Sequence, residues 1–308
     1  MSDRPFRSGF VTLVGRPNVG KSTLVNQVVG SKVAIVSDRP QTTRTQIRGV
    51  RTTDDTQLVL LDTPGIHKPR TLLGERTNER ARATLDEVDV VCMVIDASGA
   101  IGPGDRFVAE IVQAVDTPSV LVVNKIDLVD GNRVAEHLVK AAAELGDFDA
   151  YVPLSALDGD GVDALVGELE ARLPEGPHYY PDDMISDQPE SFLAAELVRE
   201  QLLKVAREEL PHSITVVAEI DPERRQDAVN DDGTVGDEVL HISARILVER
   251  DSQKGMVIGK GGAVLKEAGT RAREELERLL GTRVFLETRV SVERDWQRRA
   301  HSLDRLGY

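Results

Sequence analysis

The stretch "GRPNVGKS", residues 15–22, decides the fold of this chain because of the sequence on either side of it. The apolar run "FVTLV" precedes it and predicts a buried β-strand, and "KSTLVNQVV", which begins within it, has the spacing of an amphipathic helix. Glycines in a strand-to-helix turn let backbone N–H groups converge on phosphate oxygens, and the lysine adds a positive charge. The sequence therefore predicts a phosphate-binding loop at the edge of an α/β sheet.

Short β-branched runs alternate with helical patterns from Gly9 to about Leu173. The runs that predict strands are "FVTLV", "LVLLD", "VVCMVID", "SVLVVN" and "AYVPLS". This alternation is typical of a doubly wound, mostly parallel sheet covered by helices on both faces. Ligands of such sheets bind at the carboxyl ends of the strands, so we expect the site at that edge.

The composition limits the class of protein. A length of 308 residues favours two domains. The formal net charge of −14 argues against a generally basic nucleic-acid coat, although residues 251–301 hold 11 Lys and Arg against 8 Asp and Glu. The one cysteine, Cys92, lies in a predicted strand and fits a reducing, cytosolic compartment. We expect no signal peptide and no membrane span, because no apolar run approaches roughly 18 residues.

Residues 174–190, "PEGPHYYPDDMISDQPE", are rich in proline and acid, lack an apolar period and predict a linker. The linker separates a predicted domain of residues 1–173 from a second domain, with a C-terminal helix, of residues 191–308. The second domain reads as a helix, two strands around the polar insert 221–238, two helices and a strand. This α-β-β-α-α-β order predicts a small α+β domain.

Two further motifs follow predicted strands and should meet the phosphate loop. In "DTPG", the Asp62 carboxylate can hold the water shell of Mg²⁺, and Gly65 can donate its N–H to a γ-phosphate. In "NKID", Asp127 can accept from N1–H and the exocyclic amine of guanine, donors that adenine lacks. Phosphate loop, "DTPG" and "NKID" in this order predict a magnesium-dependent enzyme that hydrolyses GTP.

The remaining elements complete the predicted nucleotide site. In "VSDRPQTTRTQIRG", Thr43 is predicted to cover Mg²⁺ when the γ-phosphate is present, with Thr42 as the alternative. The "SAL" tripeptide, residues 155–157, can offer backbone N–H to the guanine carbonyl. The predicted magnesium ligands are Ser22, Thr43 and Asp62. The predicted nucleotide-binding residues are Gly15, Asn18, Val19, Gly20, Lys21, Ser22, Thr23, Asp62, Asn124, Lys125, Asp127, Ser155, Ala156 and Leu157.

One expected catalytic group is missing. Many GTPases have a glutamine after the glycine of "DTPG" to orient the attacking water, but here the residue is Ile66. His67 is a weaker candidate base, because a histidine beside a mobile loop is usually solvated. Asn18 lies beside the phosphates and could help to hold a monovalent cation in the place of an arginine finger. The predicted catalytic residues are Asn18, Lys21, Thr43 and Gly65.

The second domain contains "VIGKGG", residues 257–262, between two helical patterns. A G-x-x-G loop in this context is the signature of a KH domain, which clamps about four nucleotides of single-stranded nucleic acid. Lys260 at the loop tip and the local positive charge also favour binding. The predicted RNA-binding residues are Ile258, Gly259, Lys260, Gly261 and Gly262.

These motifs together resemble those of the Era GTPases, and the resemblance extends over essentially the whole chain. The matching blocks are "GRPNVGKSTL", "QTTRTQIRG", "DTPGIHKP", "NKID", "SAL" and "VERDSQKGMVIGKGGAVLKEAGTRAREELERLLG". The resemblance implies a type II KH domain, binding to the 3′ end of 16S ribosomal RNA and a role in assembly of the 30S subunit. It also implies K⁺ at Asn18, a monomer, and a cytoplasmic protein in partial peripheral contact with the inner face of the membrane.

Two other functions remain open at this stage. A signalling or membrane-surface GTPase, with a second domain that binds protein or lipid, would be expected to carry a basic amphipathic helix in place of the G-x-x-G loop. A P-loop ATPase or kinase would lack a guanine-selecting carboxylate, so "NKID" disfavours it.

Overall fold

The structure is a computed structural model that describes residues 5–37, 39, 42–66, 69, 71–205, 213–229 and 235–308. The chain forms two compact units, divided between Asp187 and Gln188. Within the described residues, every helix is too short or too polar to cross a membrane.

The first unit alternates strands and helices along the chain, as predicted. Its strands are β1 Arg7–Val14, β2 Ile47–Thr52, β3 Thr56–Asp62, β4 Val90–Asp96, β5 Ser119–Asn124 and β6 Ala150–Leu154. Its helices are α1 Lys21–Val29, α2 Leu72–Ala83, α3 Pro103–Val112, α4 Gly131–Glu144 and α5 Val162–Arg172.

The strands form one sheet in the order β2-β3-β1-β4-β5-β6. Only the β2–β3 pair is antiparallel among the pairs of this sheet, so the doubly wound, mostly parallel fold is confirmed. Apolar residues pack on both faces of β4 and β5, which explains why those strands are continuous apolar runs. The carboxyl ends of β1, β3, β4 and β5 therefore meet at one edge, where the phosphate loop and the two following motifs lie.

Residues 174–187, which we call the strap, are hydrogen-bonded to the first unit rather than extending freely as a linker would. The Val50 N–H donates to the Ile185 carbonyl oxygen at 2.9 Å, and Ser186 Oγ donates to the Arg48 carbonyl oxygen at 2.7 Å. The strap thus covers the open edge of β2. The domain limits at residues 173 and 190 stay predictions, but the compact first unit continues to Asp187.

Gln57 holds the strap from inside the unit. Its side chain is fully buried, Oε1 accepts the N–H groups of Tyr179 and Tyr180 at 2.7 and 3.0 Å, and Nε2 donates to the Tyr180 carbonyl oxygen at 2.9 Å. Because three backbone groups depend on one amide, we expect Gln57→Leu to lower the free energy of unfolding of this unit by roughly 2 to 4 kcal/mol.

Urea unfolding followed by circular dichroism measures this loss, while the fluorescence of the one tryptophan, Trp296, follows the second unit separately. Gln113→Leu is the matched control, since the exposed Gln113 makes a single side-chain bond to the Asp147 carbonyl oxygen. Equal stability of the Gln57 and Gln113 variants would contradict the role given to Gln57.

The second unit has the predicted element order. Its elements are α6 Glu190–Val205, β7 Thr215–Val229, β8 Val235–Val248, α7 Asp251–Ile258, α8 Ala263–Leu280, β9 Arg283–Val292 and α9 Ala300–Arg305. The strands form a sheet in the order β7-β8-β9, with β7 antiparallel and β9 parallel to β8. Helices α6, α7 and α8 pack on it through a core that includes Val198, Val257 and Ala268.

The described residues of the polar insert 221–238 belong to the two strands on either side of it. Strand β7 extends to Val229 and β8 begins at Val235, with register shifts between Asp221 and Gln226 and between Asp227 and Val229. Backbone pairing with a neighbour allows polar residues to form strands when no apolar alternation marks them.

Candidate functional site

The phosphate loop connects β1 to α1 at the carboxyl edge of the sheet. A Cβ at Gly20 would lie 2.2 Å from the side-chain nitrogen of Asn124, and one at Gly15 would lie 2.4 Å from the Val94 carbonyl oxygen. Gly20 also has a φ of 98°, which glycine adopts without strain. The neighbouring strands β4 and β5 therefore set the path of the loop and exclude side chains at these two positions.

Lys21 lies in a cavity of about 300 Å³. Its buried Nζ donates to the carbonyl oxygens of Gly15 and Arg16 at 3.3 and 3.2 Å. Burial lowers the pKa of Lys21, and the negative charge of Asp62 partly offsets this effect. Phosphate oxygens would be stronger acceptors for Nζ than these neutral carbonyls. The predicted residues that line the cavity are Asn18, Gly20, Lys21, Ser22, Thr23, Thr43, Gly65 and Lys125.

Three side-chain oxygens converge beside Lys21. Ser22 Oγ lies 2.7 Å from Asp62 Oδ2 and 2.9 Å from Thr43 Oγ1, and Thr43 Oγ1 lies 3.0 Å from the same carboxylate oxygen. Burial raises the pKa of Asp62, while Lys21 and the two hydroxyl groups lower it. Asp62 Oδ1 is buried and has no hydrogen-bond partner among the described residues. A carboxylate and two hydroxyls, with one carboxylate oxygen still unbonded, suit Mg²⁺ and its water shell.

The geometry also separates the two candidate threonines. Thr43 is buried and points to Ser22 and Asp62, whereas Thr42 Oγ1 donates to the Arg39 carbonyl oxygen at 2.7 Å. This arrangement supports the prediction of Thr43 as the switch threonine, because the hydroxyl of Thr42 is bonded to the backbone instead.

Asn124 joins three segments of the predicted base site. Its side chain is buried, Nδ2 donates to the Val19 carbonyl oxygen at 2.8 Å, and Oδ1 accepts the Ala156 N–H at 2.9 Å. Val19 contributes its backbone to this link, while its own side chain packs in the core. One amide therefore holds the phosphate loop, the "NKID" segment and the "SAL" segment in register.

The three "SAL" residues differ in what they can offer to a base. The Ser155 N–H donates to the Asp160 carbonyl oxygen at 2.8 Å, and the Ala156 N–H is taken by Asn124. The Leu157 N–H has no acceptor in the part of the chain that the structure describes, and this side chain is exposed. Leu157 therefore supplies the available backbone donor of this tripeptide.

Lys125 and Asp127 follow β5 at the carboxyl edge of the sheet. Lys125 has a φ of 67°, and its Nζ donates to the Asn18 carbonyl oxygen at 2.8 Å and to Asp96 Oδ2 at 2.6 Å. The left-handed turn at Lys125 starts a short 3₁₀ helix, Ile126–Leu128, that presents Asp127 to solvent. The Asp127 carboxylate is thus free to meet an incoming base.

Ile66 contributes nothing to water activation through its side chain. The side chain is 1% exposed and packs in the core, and the Ile66 N–H donates to the Gly15 carbonyl oxygen at 3.2 Å. His67 lies outside the described residues. Asn18 is exposed and lines the same cavity as Lys21, and its role beside the phosphates stays a prediction.

The G-x-x-G loop of the second unit connects α7 to α8. Gly259, Gly261 and Gly262 have φ values of 74°, 62° and 81°, and Lys260 is exposed between them. A Cβ at Gly259 would lie 2.5 Å from Val264 Cγ2, whereas a Cβ at Gly261 would meet nothing within 4 Å. Gly259 is therefore required by packing inside the protein, and Gly261 leaves its backbone open to a ligand from outside.

The apolar residues before this loop divide between core and surface. Val257 is buried in the core, Ile258 packs partly against it, and Met256 is 52% exposed. Ile258 and Met256 are therefore the apolar side chains that can contact a base beside the loop.

Three charged side chains beside the site are not among its predicted residues. Asp96 binds Lys125, and Arg16 of the phosphate loop binds Asp105 of α3 at 2.6 Å. Asp96 ends a predicted strand at the carboxyl edge, a position that could have identified it. Arg16 and Asp105 are far apart in sequence, so only the fold brings them together.

Comparison with known proteins agrees with this geometry. Residues 10–125 match the family described as 50S ribosome-binding GTPase, and residues 209–297 match the KH domain family. The chain is 52% identical over 306 residues to GTPase Era of Mycobacterium avium, covering 98% of this chain and 99% of that protein. It is 50% identical over 307 residues to GTPase Era of Mycobacterium tuberculosis strain H37Ra, with the same coverage.

Two crystal structures are similar over the same length. Era in complex with MgGDPNP and nucleotides 1506–1542 of 16S ribosomal RNA is 39% identical, with a TM-score of 0.91 and coverage of 98% of this chain and 99% of that one. A variant of Aquifex aeolicus Era bound to GDP and AlF4⁻ is 39% identical, with a TM-score of 0.90 and the same coverage.

Proposed function

The chain belongs to the Era family of GTPases, and from that membership we propose that it binds the 3′ end of 16S ribosomal RNA during assembly of the 30S subunit. The observation that supports this proposal most directly is the open glycine loop with Lys260 at its tip. The chain is also similar to a relative whose structure contains nucleotides 1506–1542 of 16S ribosomal RNA, and this similarity favours the same RNA segment.

The proposed chemistry uses the residues at the edge of the first sheet. Lys21 and the phosphate-loop N–H groups bind the β- and γ-phosphates, Gly65 donates its N–H to the γ-phosphate, and Asp127 selects guanine. Ser22, Thr43 and Asp62 would hold Mg²⁺, which neutralises charge on the phosphate oxygens when bound. With Ile66 in the core, backbone N–H groups and charge, rather than a glutamine, orient the attacking water.

We propose K⁺ as the additional charge, with Asn18 as one ligand. Asn18 lines the cavity, and its backbone is held from the other side by Lys125. A neutral amide oxygen beside phosphate oxygens suits a monovalent cation, and the cation would stabilise charge that develops in the transition state.

We therefore expect K⁺ to accelerate GTP hydrolysis over Na⁺ by about tenfold or more at matched ionic strength. Asn18→Gly should abolish most of the difference, because it removes the amide while its backbone tolerates the φ of 67°. Asn18→Ala should do the same, and the exposed Asn132→Ala on α4 is the control. Equal rates of the unsubstituted protein in the two salts would refute the cation site.

Nucleotide state is proposed to gate RNA binding through the strap. Strand β2 follows the segment that carries Thr43, and the strap binds β2 through Arg48, Val50 and the 2.7 Å ion pair of Arg48 with Asp187. Movement of the Thr43 segment on loss of the γ-phosphate would therefore shift β2 and, through these contacts, the strap. The chain continues from the strap into the second unit.

The alternative of a lipid-binding or protein-binding second domain has less support. The expected basic amphipathic helix is not seen in the described part of the second unit, where α8 instead carries arginine paired with glutamate, as in Arg271–Glu267 and Arg273–Glu277. A cytoplasmic monomer in peripheral contact with the inner membrane face is kept as a proposal from the family resemblance. Vesicle flotation of the protein with and without RNA would test that contact.

The experiment that tests the proposed function is crosslinking of the GTP-analogue complex to cellular RNA, followed by sequencing. Recovery of the 3′ end of 16S ribosomal RNA from assembling 30S particles is the expected result. Recovery of RNA with no enrichment of that segment would contradict the proposal.

A further inference from the structure

Arg16, the second residue of the phosphate loop, forms an ion pair that the nucleotide site described above does not explain. Its Nε donates to Asp105 Oδ1 at 2.6 Å. Asp105 is 2% exposed, and its other oxygen accepts the Gly102 N–H at 2.9 Å at the start of α3. The start of the helix therefore holds this carboxylate in place independently of the arginine.

The sequence "GPGD", residues 102–105, shapes this contact. Pro103 occupies the first turn of α3, and Asp105 caps that turn. A Cβ at Gly104 would lie 2.6 Å from Arg16 Cδ and 3.3 Å from Cγ. The φ of Gly104 is not in the left-handed region, so a side chain here is opposed by space alone, and the aliphatic part of Arg16 would have to move to make room for it.

The backbone of Arg16 adjoins groups that face the phosphates. Its carbonyl oxygen accepts from Lys21 Nζ at 3.2 Å, and the preceding Gly15 carbonyl oxygen accepts the Ile66 N–H. The following residue, Pro17, has its nitrogen 2.7 Å from the position of a Cβ on Gly65. Any shift of Arg16 would thus displace the surroundings of both Lys21 and Gly65.

We propose that Arg16 and Asp105 are positioning residues that fix the first half of the phosphate loop on α3, so that Lys21 and Gly65 meet the phosphates in reactive geometry. Neither side chain lines the phosphate cavity. The pair acts on GTP hydrolysis through the backbone of the loop, and small displacements of reacting groups have large effects on rate.

Three variants test the proposal by steady-state GTP hydrolysis. Asp105→Asn removes the charge but can still accept the Gly102 N–H, Gly104→Ala pushes Arg16 away while keeping both charges, and Arg16→Ala removes the side chain. We expect each to lower kcat by roughly tenfold to a hundredfold, with a smaller change in KM. The double variant Arg16→Ala with Gly104→Ala should be no slower than Arg16→Ala alone, because alanine at 104 acts by displacing Arg16.

Glu144→Gln is the matched control, since it removes the charge from the exposed 2.7 Å ion pair of Glu144 with Arg106. Arg106 lies on α3, the helix that carries Asp105. The melting temperature of each variant is measured in parallel. Lowered melting temperatures with unchanged kcat and KM would overturn the proposal and leave a structural ion pair. If Asp105→Asn does not fold, Gly104→Ala and Arg16→Ala provide the same comparison, and full activity of both would also overturn the proposal.

Discussion

Replacement of Lys260 and Gly261 by aspartate is expected to reduce affinity for the 3′ end of 16S ribosomal RNA by roughly a hundredfold or more. The loop must let an RNA backbone approach closely, and the open space at Gly261 is where that approach would occur. A carboxylate at each position repels phosphates, and the side chain at 261 blocks the path. GTP hydrolysis in the absence of RNA should be unchanged, because the residues predicted to hydrolyse GTP lie in the other unit.

The chain offers a closely matched control. Gly281 ends α8, has a φ of 65°, and would also place a Cβ in open space, and the exposed Arg283 lies nearby. Gly281→Asp with Arg283→Asp therefore produces the same backbone strain and the same change of charge at the other end of the same helix. Binding to an RNA corresponding to nucleotides 1506–1542 should fall for the loop variant and persist for the control.

Salt dependence adds a second criterion. A clamp on about four nucleotides limits the phosphate contacts, so the logarithm of affinity should fall with the logarithm of salt concentration with a slope no steeper than about −3. A much steeper slope, or equal losses in the loop variant and its control, would place RNA binding on a diffuse charged surface instead of the loop.

Central parallel strands were the most predictable part of the fold. Strands β4 and β5 have the predicted limits because both of their faces are buried, and burial on both faces produces continuous apolar runs. Strand β2 was not predicted, because this edge strand carries the solvent-facing Arg48 and the half-buried Arg51 and has little apolar alternation. The sequence predicts a linker at the strap for a related reason, since backbone bonds and the buried Gln57 hold the strap, and neither interaction requires an apolar period in the sequence.

The site divides in a similar way. The position of Lys21, Asp62 and Asn124 at one edge of the sheet could be predicted, because each of their motifs lies at the carboxyl end of a parallel strand. The sequence favours Thr43 over Thr42 but does not fix the register of this irregular loop, on which no periodicity acts, and the hydrogen bonds of the two threonines support the same choice. Arg16 with Asp105 could not be inferred, because the pairing of two charged residues distant in sequence depends on tertiary packing alone.

Asp127→Asn is expected to change the base preference of the enzyme from guanine towards xanthine. In the proposed base site, the carboxylate would accept from N1–H and from the exocyclic amine of guanine, whereas the asparagine amide would place a donor opposite that amine. Xanthine has an oxo group at this position, which accepts from the amide nitrogen while N1–H still donates to the amide oxygen. Because unpaired polar groups in a recognition site are strongly unfavourable, GTP affinity should fall by roughly a thousandfold and affinity for xanthosine triphosphate should rise.

Titration with fluorescent GTP and xanthosine triphosphate measures both affinities, and hydrolysis of each nucleotide gives an independent readout. Asp130→Asn is the control, because this exposed residue caps α4 by accepting the Arg133 N–H, and asparagine caps equally well. The left-handed turn at Lys125 and the bonds of Asn124 fix the backbone before Asp127, so the substitution should leave the rest of the site in place. Unchanged GTP affinity in Asp127→Asn would show that guanine is selected elsewhere, and a loss of both nucleotides would show that Asp127 supports the fold of the loop rather than reading the base.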